Sequence, residues 1–247
     1  MSSGTEPHSL HWCHLGRISF SDALHVQRFL WHQLQDRAPA DTVLTLEHEP
    51  VVTLGRRANE SDLLLSAAEL SRRGIDVERA DRGGEVTYHG PGQLVVYVNA
   101  LLERFRVGPA DIVRMLAGAI ADELASVGID AEYDKNHPGL WVGGRKIAAV
   151  GMRISRGASL HGAAVNLTTN LDAFSLFVPC GMPGAQATSV AEELQRDGER
   201  NTVTPSLEAM GRAVAERLAT RLGSRIDKVE STELRARSLA WTPPGAS

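Results

Sequence analysis

Arg82-Gly83-Gly84-Glu85-Val86-Thr87-Tyr88-His89-Gly90-Pro91-Gly92-Gln93 gathers four glycines, a proline, an arginine and a histidine into one short stretch. Glycine reaches backbone angles closed to other residues and lets a ligand approach the main chain. A stretch this dense between apolar segments reads as a binding loop, with a plain turn as the other reading at this point. A phosphate cradle of the Walker type does not fit, because no Lys-Ser/Thr follows the glycines. The dinucleotide fingerprint does not fit either. It needs a helix next, and Leu94-Val95-Val96-Tyr97-Val98 reads as a buried strand. Arg82 remains open as a phosphate or carboxylate holder or as a solvated surface arginine.

Working outward from the loop, strands and helices mix without a regular alternation. Residues 21–35 place Ala23, Val26, Leu30 and Leu34 on one helical face. Val43–Leu46 and Val51–Leu54 read as short strands, and residues 75–79 as another. Ser66-Ala67-Ala68-Glu69 and Ser189-Val190-Ala191-Glu192 have capping-box spacing, with Gly74 closing the first helix. Pro109 opens a helix that Gly128 ends, and Thr204-Pro205 opens a long amphipathic one closed by Gly223. Gly143-Gly144-Arg145-Lys146 between two apolar segments suggests a hairpin, and residues 160–167 a further strand. The pattern predicts a single α+β or mixed α/β domain. It spans residues 12–223, with polar and poorly ordered ends at 1–11 and 224–247.

Composition bounds the function. The 247 residues carry 26 Lys and Arg against 30 Asp and Glu, a net charge of −4 that gives no reason to expect nucleic acid. Hydrophobic and charged shares of 43% and 23% are those of a soluble globular chain. Two cysteines, Cys13 and Cys180, are too few for a disulfide framework and point to a reducing compartment. No apolar run reaches membrane-spanning length and residues 1–11 lack a secretory core, so a cytoplasmic protein without a membrane partner is expected.

Few residues carry the signature of chemistry. Cys180 sits in Val178-Pro179-Cys180-Gly181-Met182-Pro183-Gly184, a stretch that fixes the backbone around one thiol. It is either a small buried hydrophobe or a nucleophile, whereas Cys13 has no such setting and reads as structural. A nucleophilic thiol needs a cation or base beside it. The candidates are Lys146, His89, His137 and His161. Lys146 lies among apolar residues and is either a base with a lowered pKa or a strand-end lysine reaching water. Gly162-Ala163-Ala164 leave room for a ligand or for tight packing. No cluster has metal-ligand spacing, so no metal is expected.

With these residues laid out, the chain resembles the octanoyltransferases of lipoate synthesis over residues 12–220. Arg82 to His89 and on to Gln93 is similar to that family's signature. Gly144-Arg145-Lys146-Ile147-Ala148-Ala149-Val150-Gly151, with His161-Gly162-Ala163-Ala164-Val165-Asn166, resembles its lysine motif. The stretch 174–189, with Pro179-Cys180-Gly181 and Thr188-Ser189, resembles its cysteine motif. One departure is Val98, which follows Tyr97 where the family has proline.

The resemblance implies the catalytic-domain fold of biotin and lipoate protein ligases, a mixed sheet flanked by helices. It implies transfer of an octanoyl or lipoyl group from acyl carrier protein to a lysine of lipoyl domains, in 2-oxoacid dehydrogenases and the glycine cleavage H protein, with no cofactor. On that basis Cys180 carries an acyl thioester, Lys146 tunes its pKa, and Lys146 or His89 takes the acceptor's proton. Arg82, Gly83, Gly84, Glu85, Val86, Thr87, Tyr88 and His89 would bind substrate, together with Ala149, Val150, Gly151, Gly162, Ala163 and Ala164. Three alternatives stay open: an ATP-dependent lipoate or biotin ligase, a carrier-to-carrier amidotransferase, and a non-catalytic carrier-binding module. Arg56-Arg57 and Arg72-Arg73 are either a basic docking patch or scattered surface charge.

Overall fold

The computed structural model describes residues 8–177, 186–196 and 203–243. In chain order its strands are β1 (Ser9–Ile18), β2 (Thr42–His48), β3 (Val51–Leu54), β4 (Asp76–Arg79), β5 (Val86–His89), β6 (Gln93–Asn99), β7 (Glu132–Asp134), β8 (Gly139–Val142), β9 (Arg145–Ser155), β10 (Ala158–Asn166) and β11 (Arg225–Lys228). The α-helices are α1 (Phe20–Gln35), α2 (Ala67–Arg72), α3 (Pro109–Ser126), α4 (Val190–Arg196), α5 (Leu207–Arg221) and α6 (Ser231–Leu239).

Eight strands form one mixed sheet in the order β11-β1-β2-β6-β10-β9-β8-β7. β1 runs parallel to both β11 and β2, and the remaining pairs are antiparallel. Alternate residues of the central strands serve two cores. Val43, Leu94, Val96, Val98 and Val165 pack with Ile112 and Leu116 of α3 and Met210 and Val214 of α5. Leu44, Leu46, Val95, Tyr97 and Ala164 pack with Val26, Phe29 and Leu30 of α1. Both faces are covered, so β6 is apolar almost throughout rather than at every second position. Val98 belongs to this strand and pairs with Val43. A smaller sheet, β4-β3-β5, stands beside the large one over its own core of Val52, Leu54, Leu70, Val86, Tyr88 and Phe177.

Local chemistry fixes the element ends. Ser66 and Glu69 form the reciprocal capping box, with Glu69 N–H to the Ser66 hydroxyl at 3.3 Å and Ser66 N–H to the Glu69 carboxylate at 2.9 Å. The Ser189 hydroxyl accepts the Glu192 N–H at 3.2 Å. The cap of α5 is Ser206, which accepts the Ala209 N–H, so the helix opens about two residues later than Thr204-Pro205 suggests. The β8–β9 hairpin turns on Gly143 and Gly144, at φ +52 and +80, a tight turn that side chains resist.

Two expectations need correction. The stretch 82–93 is not loop throughout, because Val86 to His89 pair with β3 as β5. Val, Thr and Tyr favour extended backbone, and the flanking glycines drew the reading toward a loop. The polar ends also carry structure. β1 begins at Ser9, and β11 extends the large sheet through pairs from Ser9↔Arg225 to Trp12↔Lys228. α6 buries Leu234, and Trp241 packs beside His25, Phe29 and His32 with ring centroids 5.4, 6.0 and 5.0 Å away. An edge strand and a surface helix expose most of their side chains, so their composition is polar although their positions are fixed.

Candidate active site

β5 and the glycine loop face the middle of the large sheet across a cavity of about 300 Å³. The loop supplies Arg82, Gly83, Gly84, Glu85, Val86, Thr87 and His89 to its wall. β9 supplies Lys146, Ala149, Val150 and Gly151, and β10 supplies Gly162, Ala163 and Ala164. Of the predicted substrate-site residues, Tyr88 alone is missing from this wall. Its side chain, on the same strand face as that of Val86, turns into the small core, where its ring lies 5.9 Å from that of Phe174. Cys180 lies outside the described residues.

The close fit of loop and sheet depends on small residues. Gly83 N–H donates to the Met152 carbonyl at 3.1 Å, and a Cβ on Gly151 would stand 2.9 Å from the Gly83 carbonyl. Any side chain there would push the loop off the sheet. Arg82 is neither a surface arginine nor aimed outward. It is buried, and its guanidinium donates to Thr53 Oγ1 at 2.8 Å and to the carbonyls of Thr53 at 2.7 Å, Gly83 at 3.0 Å and Glu85 at 2.8 Å. It braces the loop against β3, a use of its fork that sequence does not disclose.

Lys146 projects along the cavity wall, with Nζ 4.8 Å from the Trp141 ring centre and 3.5 Å from the Pro138 carbonyl. Its backbone pairs with the chain that follows Cys180. Lys146 N–H donates to the Gln186 carbonyl at 2.9 Å, and Thr188 N–H to the Lys146 carbonyl at 3.0 Å. Arg145 and Glu193 clamp the same junction with two bonds, at 3.0 and 2.9 Å, and Glu193 also accepts from Thr188 at 2.5 Å.

Four polar side chains at the cavity floor are buried. Burial pushes the His89 imidazolium well below its ordinary pKa, and nearby His48 and Arg82 push the same way. His89 is therefore neutral at pH 7, with Nδ1 2.8 Å from Gln93 Oε1. Behind it, His48 donates from Nδ1 to the Ile18 carbonyl at 3.0 Å and takes the Tyr97 hydroxyl on Nε2 at 2.8 Å. Burial lowers the His48 pKa to about 4 and raises that of Tyr97. His161 holds the left-handed backbone at φ +59, and its Nε2 meets Asp81 Oδ1 at 2.6 Å. Burial lowers the His161 pKa against the pull of Asp81. The hydrogen bond from His161, with Arg153 on the other oxygen, holds Asp81 down at about 2.

Of the four side chains considered as a cation or base for a thiol, Lys146 and His89 share the cavity. His161 is buried in its wall, and His137 is exposed at its rim beside Asp134. Cys13 is buried in β1, where desolvation raises its pKa to about 11 and leaves it inert. The described residues hold no group of three or more His, Cys, Asp or Glu placed to bind a metal. Sequence reasoning missed Tyr97, His48, Thr53 and Met152. They come from strands distant in the chain, and nothing in their local pattern sets them apart from core residues.

A family model described as the lipoyl protein ligase A/B catalytic domain matches residues 19–212, which include every strand and loop of this cavity. The chain belongs to that family. Curated relatives are octanoyltransferases. That of Syntrophobacter fumaroxidans is 39% identical over 82% of this chain and 89% of its own, and that of Alkaliphilus metalliredigens is 41% identical over 73% and 83%. The Porphyromonas gingivalis octanoyltransferase is 39% identical over 84% of this chain, which spans 45% of the relative's length. The chain likewise spans about half of the Myxococcus xanthus octanoyltransferase, 53% of its length.

The fold matches that of lipoate ligases. A lipoate-protein ligase A solved with ATP superposes with a TM-score of 0.73 at 18% identity, covering 95% of this chain and 93% of the other. A T. acidophilum lipoate protein ligase solved with lipoic acid gives 0.71 at 17%, covering 95% and 94%. No described helix is long and apolar enough to cross a membrane.

Proposed function

We propose that the chain is an octanoyltransferase that moves an octanoyl or lipoyl group from acyl carrier protein to a lysine of lipoyl domains. The acceptors are the lipoyl domains of 2-oxoacid dehydrogenases and the glycine cleavage H protein, and the reaction runs in the cytoplasm. The observation that carries this reading is the junction at Lys146. Its side chain lines the cavity while its backbone pairs with Gln186 and Thr188, the chain that follows Cys180.

The steps balance without an external energy source. The Cys180 thiolate attacks the donor thioester carbonyl, the enzyme C–S bond forms as the donor C–S bond breaks, and the carrier leaves as a thiolate that takes its proton from solvent. The acceptor lysine, as a free amine, then attacks the Cys180 thioester. A C–N bond forms, the enzyme C–S bond breaks, and the amine proton passes to a base on the cavity wall, Lys146 or His89. Lys146 as a cation beside the thiol would favour the thiolate. Gly151, Gly162, Ala163 and Ala164 leave a slot for the apolar chain, and the buried floor keeps water out.

Mass spectrometry after incubation with octanoyl-acyl carrier protein tests the reading. A single octanoyl adduct on Cys180 is expected, lost on transfer to a lipoyl domain. No adduct, together with full transfer by Cys180→Ser, would overturn it.

A further inference from the structure

A line of side chains joins His89 to the Lys146 junction, and each link admits one orientation. Asn166 lies at 3.0 Å from the Thr188 carbonyl, which can only accept, so the atom facing it is the amide nitrogen. The Asn166 oxygen then faces Gln93 at 3.0 Å, across the β6–β10 pair Asn166↔Gln93. The Gln93 atom it meets also lies 3.2 Å from the Tyr88 carbonyl, so that atom too must be nitrogen. Both amides are thus set by backbone carbonyls rather than by choice. The Gln93 oxygen is left facing His89 Nδ1 at 2.8 Å, and oxygen can only accept there. His89 Nδ1 therefore carries the proton. All four residues are buried, with exposures of 5% for His89, 2% for Gln93, 4% for Asn166 and 0% for Thr188. Turning the Asn166 amide would break two of these bonds and turning that of Gln93 three, with the groups buried.

We infer that Gln93 and Asn166 are positioning residues that lock His89 with a bare Nε2 on the cavity wall, where it accepts the proton of the attacking amine. The proton's destination rests on the acyl-transfer reading, whereas the locked tautomer does not. The same line is anchored at Thr188, whose N–H is held by the Lys146 carbonyl. The base and the lysine are thereby set in one frame. A base misoriented by a fraction of a bond length loses much of its effect, which gives the line a purpose that packing alone would not.

Nitrogen-15 spectra of histidine-labelled full-length protein test this. His89 is expected to show a protonated Nδ1 and a bare Nε2, and Gln93→Met is expected to abolish that preference. In single turnovers Gln93→Met should slow amide formation at least about tenfold more than it slows acylation of Cys180, a part of the roughly 10²–10⁴-fold that a positioned base contributes. If Gln93→Met does not fold, Asn166→Ala is read in the same two ways. A proton on His89 Nε2 in the unsubstituted protein, or equal slowing of both half-reactions, would overturn the inference. Absence of any Cys180 adduct in the unsubstituted protein would instead overturn the thioester reading, and the imidazole spectrum would still decide the tautomer.

Discussion

His48 illustrates what burial does to a single side chain. It is fully enclosed, donates to a backbone carbonyl, accepts from Tyr97, and has a pKa lowered to about 4 by desolvation. In the unfolded chain a histidine titrates near 6.5. Between those values the unfolded state binds a proton that the folded state refuses, so stability present above pH 6.5 is lost as pH falls toward 4. The loss amounts to about 3 kcal/mol from this group at roughly 1.4 kcal/mol per pKa unit. Denaturant unfolding measured across pH 7 to 4 should show this slope, and His48→Gln should reduce it, the remainder coming from His89 and His161, whose pKa values burial also lowers. Asp81 acts lower on the scale. Its pKa is depressed to about 2, so the stability it adds is present above its unfolded value near 3.9 and is lost as pH falls through about 2. At this scale the sequence identified His89 and Lys146 as cavity residues, but it could not show that Arg82 spends its guanidinium on Thr53 and the loop carbonyls. A side chain's partners come from other elements, and its own neighbours in the chain do not encode them.

At the scale of elements, the segment after Gly223 closes one side of the large sheet. β11 covers the outer edge of β1, and α6 places Leu234 against the α1 side of the sheet. A chain ended after Gly223 would leave β1 as an open edge with unpaired N–H and C=O groups and would uncover Phe29 beside the lost Trp241. Such a truncation is expected to lower the urea midpoint and to self-associate with rising concentration, as read by light scattering. An unchanged midpoint would mean that the segment adds nothing to the fold. The elements legible in advance, β6, α3 and the β8–β9 hairpin, share strong local signals: a continuous apolar run, a proline first turn, and paired glycines. β1, β5, β11 and α6 have mixed or polar patterns: β11 is the edge strand that covers β1, β5 belongs to the smaller sheet, and α6 lies on the surface.

At the scale of the whole molecule, the fold shared with a lipoate-protein ligase solved with ATP does not itself choose between ligase and transferase. The choice lies in whether the acyl group arrives already activated. A thioester donor needs no adenylation, so octanoyl transfer should proceed at full rate without ATP, and the protein should catalyse no ATP–pyrophosphate exchange with octanoate or lipoate. Robust exchange would favour the ligase reading. The sequence by itself determined the mixed sheet flanked by helices, the family, and most of the cavity wall, because glycine spacing, apolar runs and the three motifs are local and ordered along the chain. Only the tertiary structure decided that Tyr88 turns away from the cavity, that Arg82 is a brace, and that His89, Gln93, Asn166 and Thr188 form one line to Lys146. These depend on strand alternation and on which strands become neighbours. Neighbours in this sheet, such as β6 and β10, are brought together by packing across long stretches of chain rather than by local sequence.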